Sequence, residues 1–459
     1  MYRNLRIGLT AVLITAAPVL GQPNETEGIE AAGADGSATE VVAPADRILQ
    51  SLSNTELRAL ISETLERNPG VARAQAQARA ADLRAPQVRA LPDPVAGVTA
   101  WLKGAETRTG PQVLTLSWVQ ALPWLSKFDL KEQAALLESS ALHFDVEASR
   151  LALVTSVRRL YYELAFLAQH KEITLDYLDH LRQHEEISQS RYATGTGASQ
   201  DVIKIQAEIT LADSLLLDID QRRIDLEAQI NHLRDRAASS VILPAVLPAG
   251  VENRSDVQTL RQVAEESRPE VTAADARIAA AEARIKLADK EYRPNFKVGL
   301  TYTLVNPRED PAGMLNPPEG NGDDIFGIQG GVSVPIWRKR LKSGAEEASA
   351  LEFSAREAKR EVLAGIESAL GDLVQRIPLT WQQLRLLEDI LILQAEESVR
   401  SAQSGYVSGT FNALDLLDAE HVLFKADTAI ARAQADYAIR LAQLEGEVGG
   451  PLAQHPTTE

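Results

Sequence analysis

The chain has 459 residues, a formal net charge of −17 and no cysteine. The missing cysteine excludes disulfides, thiolate metal sites, cysteine nucleophiles and lipoprotein-type acylation, and the negative charge argues against a nucleic-acid partner, which requires basic patches. Aromatic residues are few, and the abundance of Ala, Leu, Gln, Glu and Arg is typical of long helices and coiled coils.

The N-terminus predicts export. In residues 1–21 two arginines precede an apolar run that is too short to span a bilayer as a helix, which is typical of a secretory signal peptide. Residues 22–52 are rich in small and polar residues without periodicity and predict a disordered leader. No later apolar run approaches the roughly 20 residues of a spanning helix, so a membrane crossing would require a β-barrel.

A first repeat is predicted over residues 53–236. Its opening helix leads to a β-hairpin at residues 95–120, in which apolar side chains alternate with small or polar ones around a Gly-containing turn. A helical pattern follows that is on the order of 100 Å long, far beyond a globular helix. It ends in a Gly/Thr break at residues 191–199, and a second helix returns. Residues 237–255 are predicted to be a linker.

The same order of elements returns in a second repeat, residues 256–449. Its β-hairpin lies at residues 295–335 and encloses a long acidic loop. The long helix that follows contains Pro378, which predicts a kink. A second Gly/Thr break at residues 405–410 precedes the last helix, and residues 450–459 form a tail.

The two breaks are copies of each other, 214 residues apart and without a gap. A glycine in the left-handed conformation closes a helix, and the Thr or Ser that follows is a favoured N-cap for the next one. Each break is therefore predicted to be the tip of a helical hairpin. The residues that coincide are Tyr192 and Tyr406, Gly195 and Gly409, Thr196 and Thr410, and Asp201 and Asp415.

Each repeat supplies two strands of about ten residues, apolar on one face, which is the pattern of a membrane-spanning β-strand. The alternative is a half-buried hairpin that packs against the helices. Four strands cannot close a barrel, so the spanning interpretation demands oligomerisation. Three chains would supply twelve strands, an even number within the range of bacterial barrels.

The tip GYVSGTFNALDLLDA, its partial copy RYATGTGASQDV and the openings NPGVARAQAQARAADLRA and RPEVTAADARIAAAEARI resemble the TolC family of outer-membrane efflux ducts. The resemblance covers about Ser53 to Gly449. It implies a mainly α-helical homotrimer with a twelve-stranded β-barrel in outer-membrane lipid and a helical tunnel in the periplasm. It also implies that the trimer docks onto a periplasmic adaptor and an inner-membrane pump as a passive exit duct.

The resemblance assigns roles to the tips. Asp415 and Asp418 match the acidic residues that narrow the periplasmic aperture, and three copies would form rings that favour cations. Tyr406 and Asp201 match residues that link neighbouring hairpins and hold the aperture closed. A basic residue expected five positions after Tyr406 is Phe411 here, which weakens any latch that uses its charge.

The tip residues Gly195, Thr196, Gly409 and Thr410 are assigned to adaptor docking by the same resemblance. The competing interpretation of the two aperture aspartates is that they are ordinary solvated helix carboxylates.

His180 and His184 stand one helical turn apart and could bind a metal as a pair, but without a third ligand a solvated helix face is favoured. No metal site and no cofactor are predicted. No nucleophile elbow, HExxH motif or phosphate loop is present, so nothing supports an enzyme. The alternatives that stay open are a heavy-metal efflux duct, a type I secretion exit duct and a soluble periplasmic coiled-coil scaffold.

Overall fold

The structure is a computed structural model that describes residues 43–103, 106–243, 245–248, 250, 252 and 256–452. The predicted signal peptide, the larger part of the predicted leader and the last seven residues of the predicted tail lie outside the described residues. The described chain is mainly helical and carries one small β-sheet.

Both halves share one basic order, in which helices lead to two long strands, a very long helical segment and a returning helix. In the first half the helices are α1 (Pro44–Ser51), α2 (Thr55–Arg67), α3 (Pro69–Asp82), α4 (Arg84–Arg89), α5 (Leu125–Ala193) and α6 (Ser199–Leu233). In the second half they are α7 (Val257–Ser267), α8 (Pro269–Lys290), α9 (Pro311–Leu315), α10 (Arg338–Leu386), α11 (Ile392–Ser408) and α12 (Ala413–Val448). The strands are β1 (Val95–Ala100), β2 (Glu106–Thr107), β3 (Gly110–Leu122), β4 (Asn295–Val305) and β5 (Ile325–Ser333). Of the described elements, α1, α4, β2 and α9 occur in one half only.

Helix α1 corrects the predicted disordered leader. Pro44 stands at the first helical position, which its fixed φ favours, and Ala45 and Ile48 are fully buried. Arg150 Nη2 on α5 donates to Asp46 Oδ1 at 2.7 Å. The polar composition of the whole segment does not reveal this short amphipathic helix of about two turns, whose apolar side chains pack only against the folded core.

Two helical segments are very long. Helix α5 has 69 residues, on the order of 100 Å. Helices α10 and α11 are continuous through a π-helical turn at Leu387–Leu391, and α10 runs through Pro378 without ending there. Among the described residues, no helix is both long and apolar enough to cross a membrane.

Four of the strands form one antiparallel sheet in the order β1-β3-β4-β5, and the short β2 pairs with β3. β1 pairs with β3 and β4 with β5, as the alternation predicts, while the pairing of β3 with β4 joins the two halves. Trp118 on β3 lies opposite Ala96 on β1 and Leu300 on β4, and Leu300 lies opposite Ile328 on β5. The apolar side chains of all four strands therefore share one face.

This apolar face is exposed in the single chain. Val98 is 70%, Phe326 64% and Ile328 75% exposed. Small polar side chains occupy the opposite face, where the hydroxyl oxygens of Thr115 and Thr303 lie 3.0 Å apart. The alternative of a hairpin half-buried against the helices is therefore wrong. An apolar face of this size requires a partner surface.

Four apolar clusters hold the described helices together, and two of them bear on the site. One joins α1, α2, α5, α6 and α12, and it contains the fully buried Ile48 and Ile230 and the nearly buried Tyr161. The other joins α5, α6, α11 and α12 beside the two tips, through residues such as Leu181 and Leu416. The second cluster positions both tips against each other within one chain.

Candidate functional site at the hairpin tips

Tip 1, residues 191–199, closes α5 with a glycine in the left-handed conformation. Gly195 has a φ of 75°, which L side chains rarely adopt, and its N–H donates to the Tyr192 carbonyl at 3.0 Å. The N–H and Oγ1 of Thr196 donate to the Arg191 carbonyl at 2.9 and 3.2 Å. Thr196 thus satisfies a carbonyl at the end of α5, and its predicted role as N-cap of the next helix is wrong.

Tip 2, residues 405–410, repeats this geometry. Gly409 has a φ of 79°, and its N–H donates to the Tyr406 carbonyl at 3.2 Å. Thr410 donates from its N–H at 2.9 Å and from Oγ1 at 3.0 Å to the Gly405 carbonyl. Each of these bonds has its counterpart 214 residues earlier, so the aligned sequences close their helices alike. Gly195, Thr196, Gly409 and Thr410 are all exposed.

The helices that leave the tips begin differently. Helix α6 starts after Ala198, which offers no side-chain cap. Helix α12 starts after Asn412, whose Oδ1 accepts the N–H groups of Leu414 and Asp415 at 2.8 and 3.1 Å. Asp415 Oδ2 accepts the Asn412 N–H at 3.0 Å, which completes a capping box. Asp201, the residue equivalent to Asp415, makes no side-chain hydrogen bond or ion pair to the described residues.

Tyr406 links the two hairpins of one chain. Its side chain is only 4% exposed, and its hydroxyl lies 2.8 Å from Ser188 Oγ on α5. Arg191 Nη1 donates to the Tyr406 carbonyl at 2.6 Å, and the guanidinium carbon lies 4.6 Å from the centre of the tyrosine ring. A cation over an aromatic face is attracted to it. The partners of Tyr406 in the chain are therefore Ser188 and Arg191, not Asp201.

The aspartates predicted to narrow an aperture are both exposed, and they lie three residues apart on α12. Asp415 is also part of the capping box, whereas Asp418 makes no ion pair within the described part of the chain. Both side chains are thus exposed to solvent in the single chain, although one oxygen of Asp415 is engaged in the cap. The cap also gives Asp415 a structural role that sequence reasoning did not assign.

Phe411, which stands where a basic residue was expected, packs on the tip 2 turn. Its ring lies against Gly405, where an added Cβ would stand 2.3 Å from Phe411 Cδ2. The positive charge beside Tyr406 comes instead from Arg191 of the other hairpin. The cation that is missing after tip 2 is therefore supplied by tip 1.

Sequence reasoning missed Glu420, which is 1% exposed and joins three helices. Its carboxylate lies 3.0 Å from His184 Nε2 and 3.2 Å from His180 Nδ1, and Gln403 Nε2 donates to it at 3.4 Å. Burial raises the pKa of the Glu420 carboxyl, but the hydrogen bonds from His184 and His180 outweigh it, and the pKa lies below its ordinary value. The favoured solvated interpretation is therefore wrong for His184, which is 7% exposed.

A signal for this cluster was present in the spacing. Glu420 stands four residues after Leu416 and four before Phe424, in the apolar stripe of α12, and His184 follows Leu181 in the stripe of α5. A carboxylate in such a stripe needs a partner. Among the described residues, no group of three His, Asp or Glu side chains is arranged to hold a metal ion.

An exposed apolar sheet joined to helical hairpins of this length defines the class of outer-membrane channel proteins with a helical extension. Residues 260–450 match the family model "Outer membrane efflux protein". The chain is 22% identical over 337 residues to the outer membrane protein TolC of Vibrio cholerae, covering 72% of this chain and 74% of that protein. It is 24% identical over 361 residues to nodulation protein T of Rhizobium leguminosarum bv. trifolii, covering 75% of this chain and 72% of that protein.

Among solved structures, the outer membrane protein VceC of Vibrio cholerae has the same fold, with a TM-score of 0.71 and 22% identity over 86% of this chain and 96% of that one. The family predicted from the tip motifs is thereby confirmed. Residues 260–450 belong to the outer membrane efflux protein family, and the chain is similar to TolC and to VceC over most of its length.

Proposed function

We propose that the protein is the exit duct of a tripartite efflux system. In this role it conducts substrates passively from an inner-membrane pump and a periplasmic adaptor to the outside of the cell. The observation that carries the proposal is the four-stranded sheet, whose apolar face is exposed along its whole length while small polar residues line the other face. Family membership makes lipid the expected partner of the apolar face.

The sheet is incomplete in one chain. β1 and β5 are its outer strands and have no second neighbour among the described residues. Unpaired backbone groups cannot face hydrocarbon, so the edges must pair with other copies. Three copies would contribute twelve long strands, an even number within the known range of bacterial barrels, and the helices would continue from them as a periplasmic tunnel.

The tips would then gather at the far end of that tunnel. The exposed Asp415 and Asp418 would form two rings of carboxylates around the aperture, which attract cations and repel anions. Tyr406 would hold the two hairpins of each chain together, and Asp201 would reach a neighbouring copy. The exposed Gly195 and Gly409 turns would meet the adaptor.

The test is single-channel conductance of the detergent-purified full chain in planar bilayers, with Asp415→Asn and Asp418→Asn as variants. Asparagine can still accept the Asn412 N–H, so the first variant removes the charge and keeps the capping geometry. Stable steps whose cation selectivity falls in the double variant support the duct. Protein that stays monomeric and soluble without detergent would instead support a periplasmic scaffold.

The substrate belongs to the pump in this proposal, because a wide passive duct imposes little selectivity. Deletion strains challenged separately with organic toxins, heavy-metal salts and secreted-protein reporters assign the system. Sensitivity confined to metal salts would make this a heavy-metal duct, and loss of one secreted protein would make it a type I secretion duct.

A further inference from the structure

One stretch of this acidic chain has the opposite charge. Residues 325–345 contain no Asp or Glu and four basic residues, although the whole chain carries −17. Three of them, Arg338, Lys339 and Arg340, are exposed and make no ion pair within the described residues. The fourth, Lys342, lies 3.5 Å from Glu346. The three stand next to one another in the sequence without a carboxylate partner, so they concentrate positive charge at one place on an acidic chain.

The run stands where the sheet meets the helices. β5 ends at Ser333, and its exposed apolar face continues into Ile336 and Trp337, which are 65% and 72% exposed. A cleft of about 480 Å³ opens here, which we call the junction cleft, and it is lined by Ile336, Trp337, Arg338, Lys339, Arg340 and Ser343. An apolar surface and a cationic surface thus adjoin at the end of β5, where the sheet meets the helices.

Aromatic rings and cations alternate around the same level. The Arg338 guanidinium lies 5.8 Å from the centre of the Tyr292 ring, and that of Arg293 lies 6.0 Å from the centre of the Trp124 ring. Trp and Tyr favour membrane interfaces, where one end of the ring is apolar and the other is wet. This level of the molecule therefore has the composition of an interface between hydrocarbon and water.

Just after β3, the first half of the chain offers no run of such cations, only the exposed Lys131, which has no ion pair within the described residues. The corresponding turn after β3 is followed by Lys127, which is only 3% exposed and donates to Asn295 Oδ1 at 3.0 Å and to the Arg293 carbonyl at 3.1 Å. Its charge is used inside the protein to fasten α5 to the start of β4. The run of three free cations after β5 thus has no counterpart after β3.

We propose that the junction cleft binds the headgroup of an anionic phospholipid from the leaflet that borders the helical part of the molecule. The acyl chains would lie along the apolar face of β5, the indole of Trp337 would lie at the glycerol level, and the three cations would contact the phosphate. The inference rests on the proposed function, because it requires the sheet to lie in a membrane. Charge complementarity and continuity with the apolar face select a lipid rather than a soluble anion.

The experiment is native mass spectrometry of the full-length protein, purified in detergent and mixed with equal amounts of phosphatidylglycerol and phosphatidylcholine. The variant Arg338→Gln/Lys339→Gln/Arg340→Gln is compared with the matched control Arg159→Gln/Arg222→Gln/Lys425→Gln, which neutralises three exposed helix cations that have no ion pair in the described chain. The wild type is expected to retain phosphatidylglycerol preferentially. The cleft variant should lose that preference by about tenfold or more, and the control should keep it.

Conductance in pure phosphatidylcholine separates this inference from the function beneath it. If the wild type and the cleft variant both insert and conduct there, the proposed function as a duct is supported. The lipid preference measured by mass spectrometry then tests the junction cleft by itself. No lipid preference in the wild type, or an equal loss in the control, would overturn the inference. A cleft variant that changes its oligomeric state on size exclusion while its lipid preference is unchanged would show that a second copy covers the cleft. If the wild type neither inserts nor retains lipid, the proposed function itself fails.

Discussion

The two hairpin tips end their first helices identically and begin their second helices differently. In both, a left-handed glycine is followed by a threonine that donates twice to the carbonyl five residues earlier. Tip 2 then starts α12 with a capping box, whereas tip 1 starts α6 from an alanine without a side-chain cap. The closing of a helix is thus common to both copies, and the opening of the next one has diverged.

Two side chains at equivalent positions of the tips have also exchanged sizes. Tip 1 pairs a large Arg191 with a small Gly197, and tip 2 pairs a small Gly405 with a large Phe411, at equivalent positions. The Phe411 ring packs on Gly405 within tip 2. The Arg191 side chain instead extends from tip 1 to tip 2, where it lies over the ring of Tyr406. Tip 2 is therefore stabilised by its own side chains and by those of tip 1. The difference predicts that the same substitution has unequal effects in the two tips.

The largest difference in stability between the two tips is expected when the equivalent tyrosines are substituted. Tyr406→Ala removes a buried ring, its hydroxyl contact to Ser188 and the face that holds Arg191, whereas the equivalent Tyr192 is 55% exposed. We expect the free energy of local opening of tip 2, measured by hydrogen exchange, to fall by about 3 kcal/mol or more. Tyr192→Ala is the control and should change the opening of tip 1 by about 0.5 kcal/mol or less. Equal effects would contradict the asymmetry.

Glu420 gives the next largest effect, because the hydrogen bonds to its buried carboxylate tie α5 to α12. Glu420→Gln should lower the free energy of local opening around the tips by about 2 kcal/mol at neutral pH. The pKa of Glu420 is lowered in the folded chain, so its stabilisation is complete above the ordinary value of 4.5 and is lost as the pH falls through the lowered value. The difference between wild type and variant should therefore shrink below pH 4.5.

Hydrogen exchange at several pH values checks this expectation. The exposed Glu172, which has no ion pair among the described residues, provides the control Glu172→Gln on α5. A difference for Glu420→Gln that stays constant into the acid range would show that the ionised carboxylate is not what joins the helices.

How far the sequence predicts this molecule depends on the range of the interactions involved. The repeated Gly/Thr breaks and the alternating strands are local patterns, so the tips, the hairpins and the long helices could be placed from the sequence within a few residues. The capping of α12 by Asn412 instead of Thr410 was missed because two polar residues only two positions apart satisfy the same local rule. Glu420 was missed because its partners lie 236 and 240 residues away in the chain.

The contact between Arg191 and Tyr406 also could not be predicted from local sequence patterns. The sequence shows that the expected cation is absent at position 411, but only packing shows that a residue 215 positions from Tyr406 replaces it. The helix α1 illustrates the same point for stability, since Ile48 becomes an anchor only against the partners that the fold brings to it.

Arg191→Gln tests whether the replacement cation holds the tips together. The variant loses a charged hydrogen bond to the Tyr406 carbonyl and the contact with its ring, and we expect the opening free energy of tip 2 to fall by about 1.5 kcal/mol. In planar bilayers the open probability should rise. Arg182→Gln on the same helix, whose guanidinium lies 3.6 Å from the exposed Asp179, is the control and should leave both unchanged. An unaltered tip 2 in Arg191→Gln would mean that Ser188 and packing suffice.

The smallest expected effect separates the two roles of Asp415. Asp415→Ala loses the bond to the Asn412 N–H and should lower the opening free energy of tip 2 by about 0.5–1 kcal/mol, while Asp201→Ala in tip 1, where the carboxylate caps nothing, should cost less. Asp415→Asn should restore the opening free energy without restoring cation selectivity. If asparagine restores both, the carboxylate acts only as a cap, and Asp418 alone would carry the charge at the aperture. If it restores neither, the negative charge at the start of α12 is itself what stabilises the tip, through the helix dipole and not through the hydrogen bond.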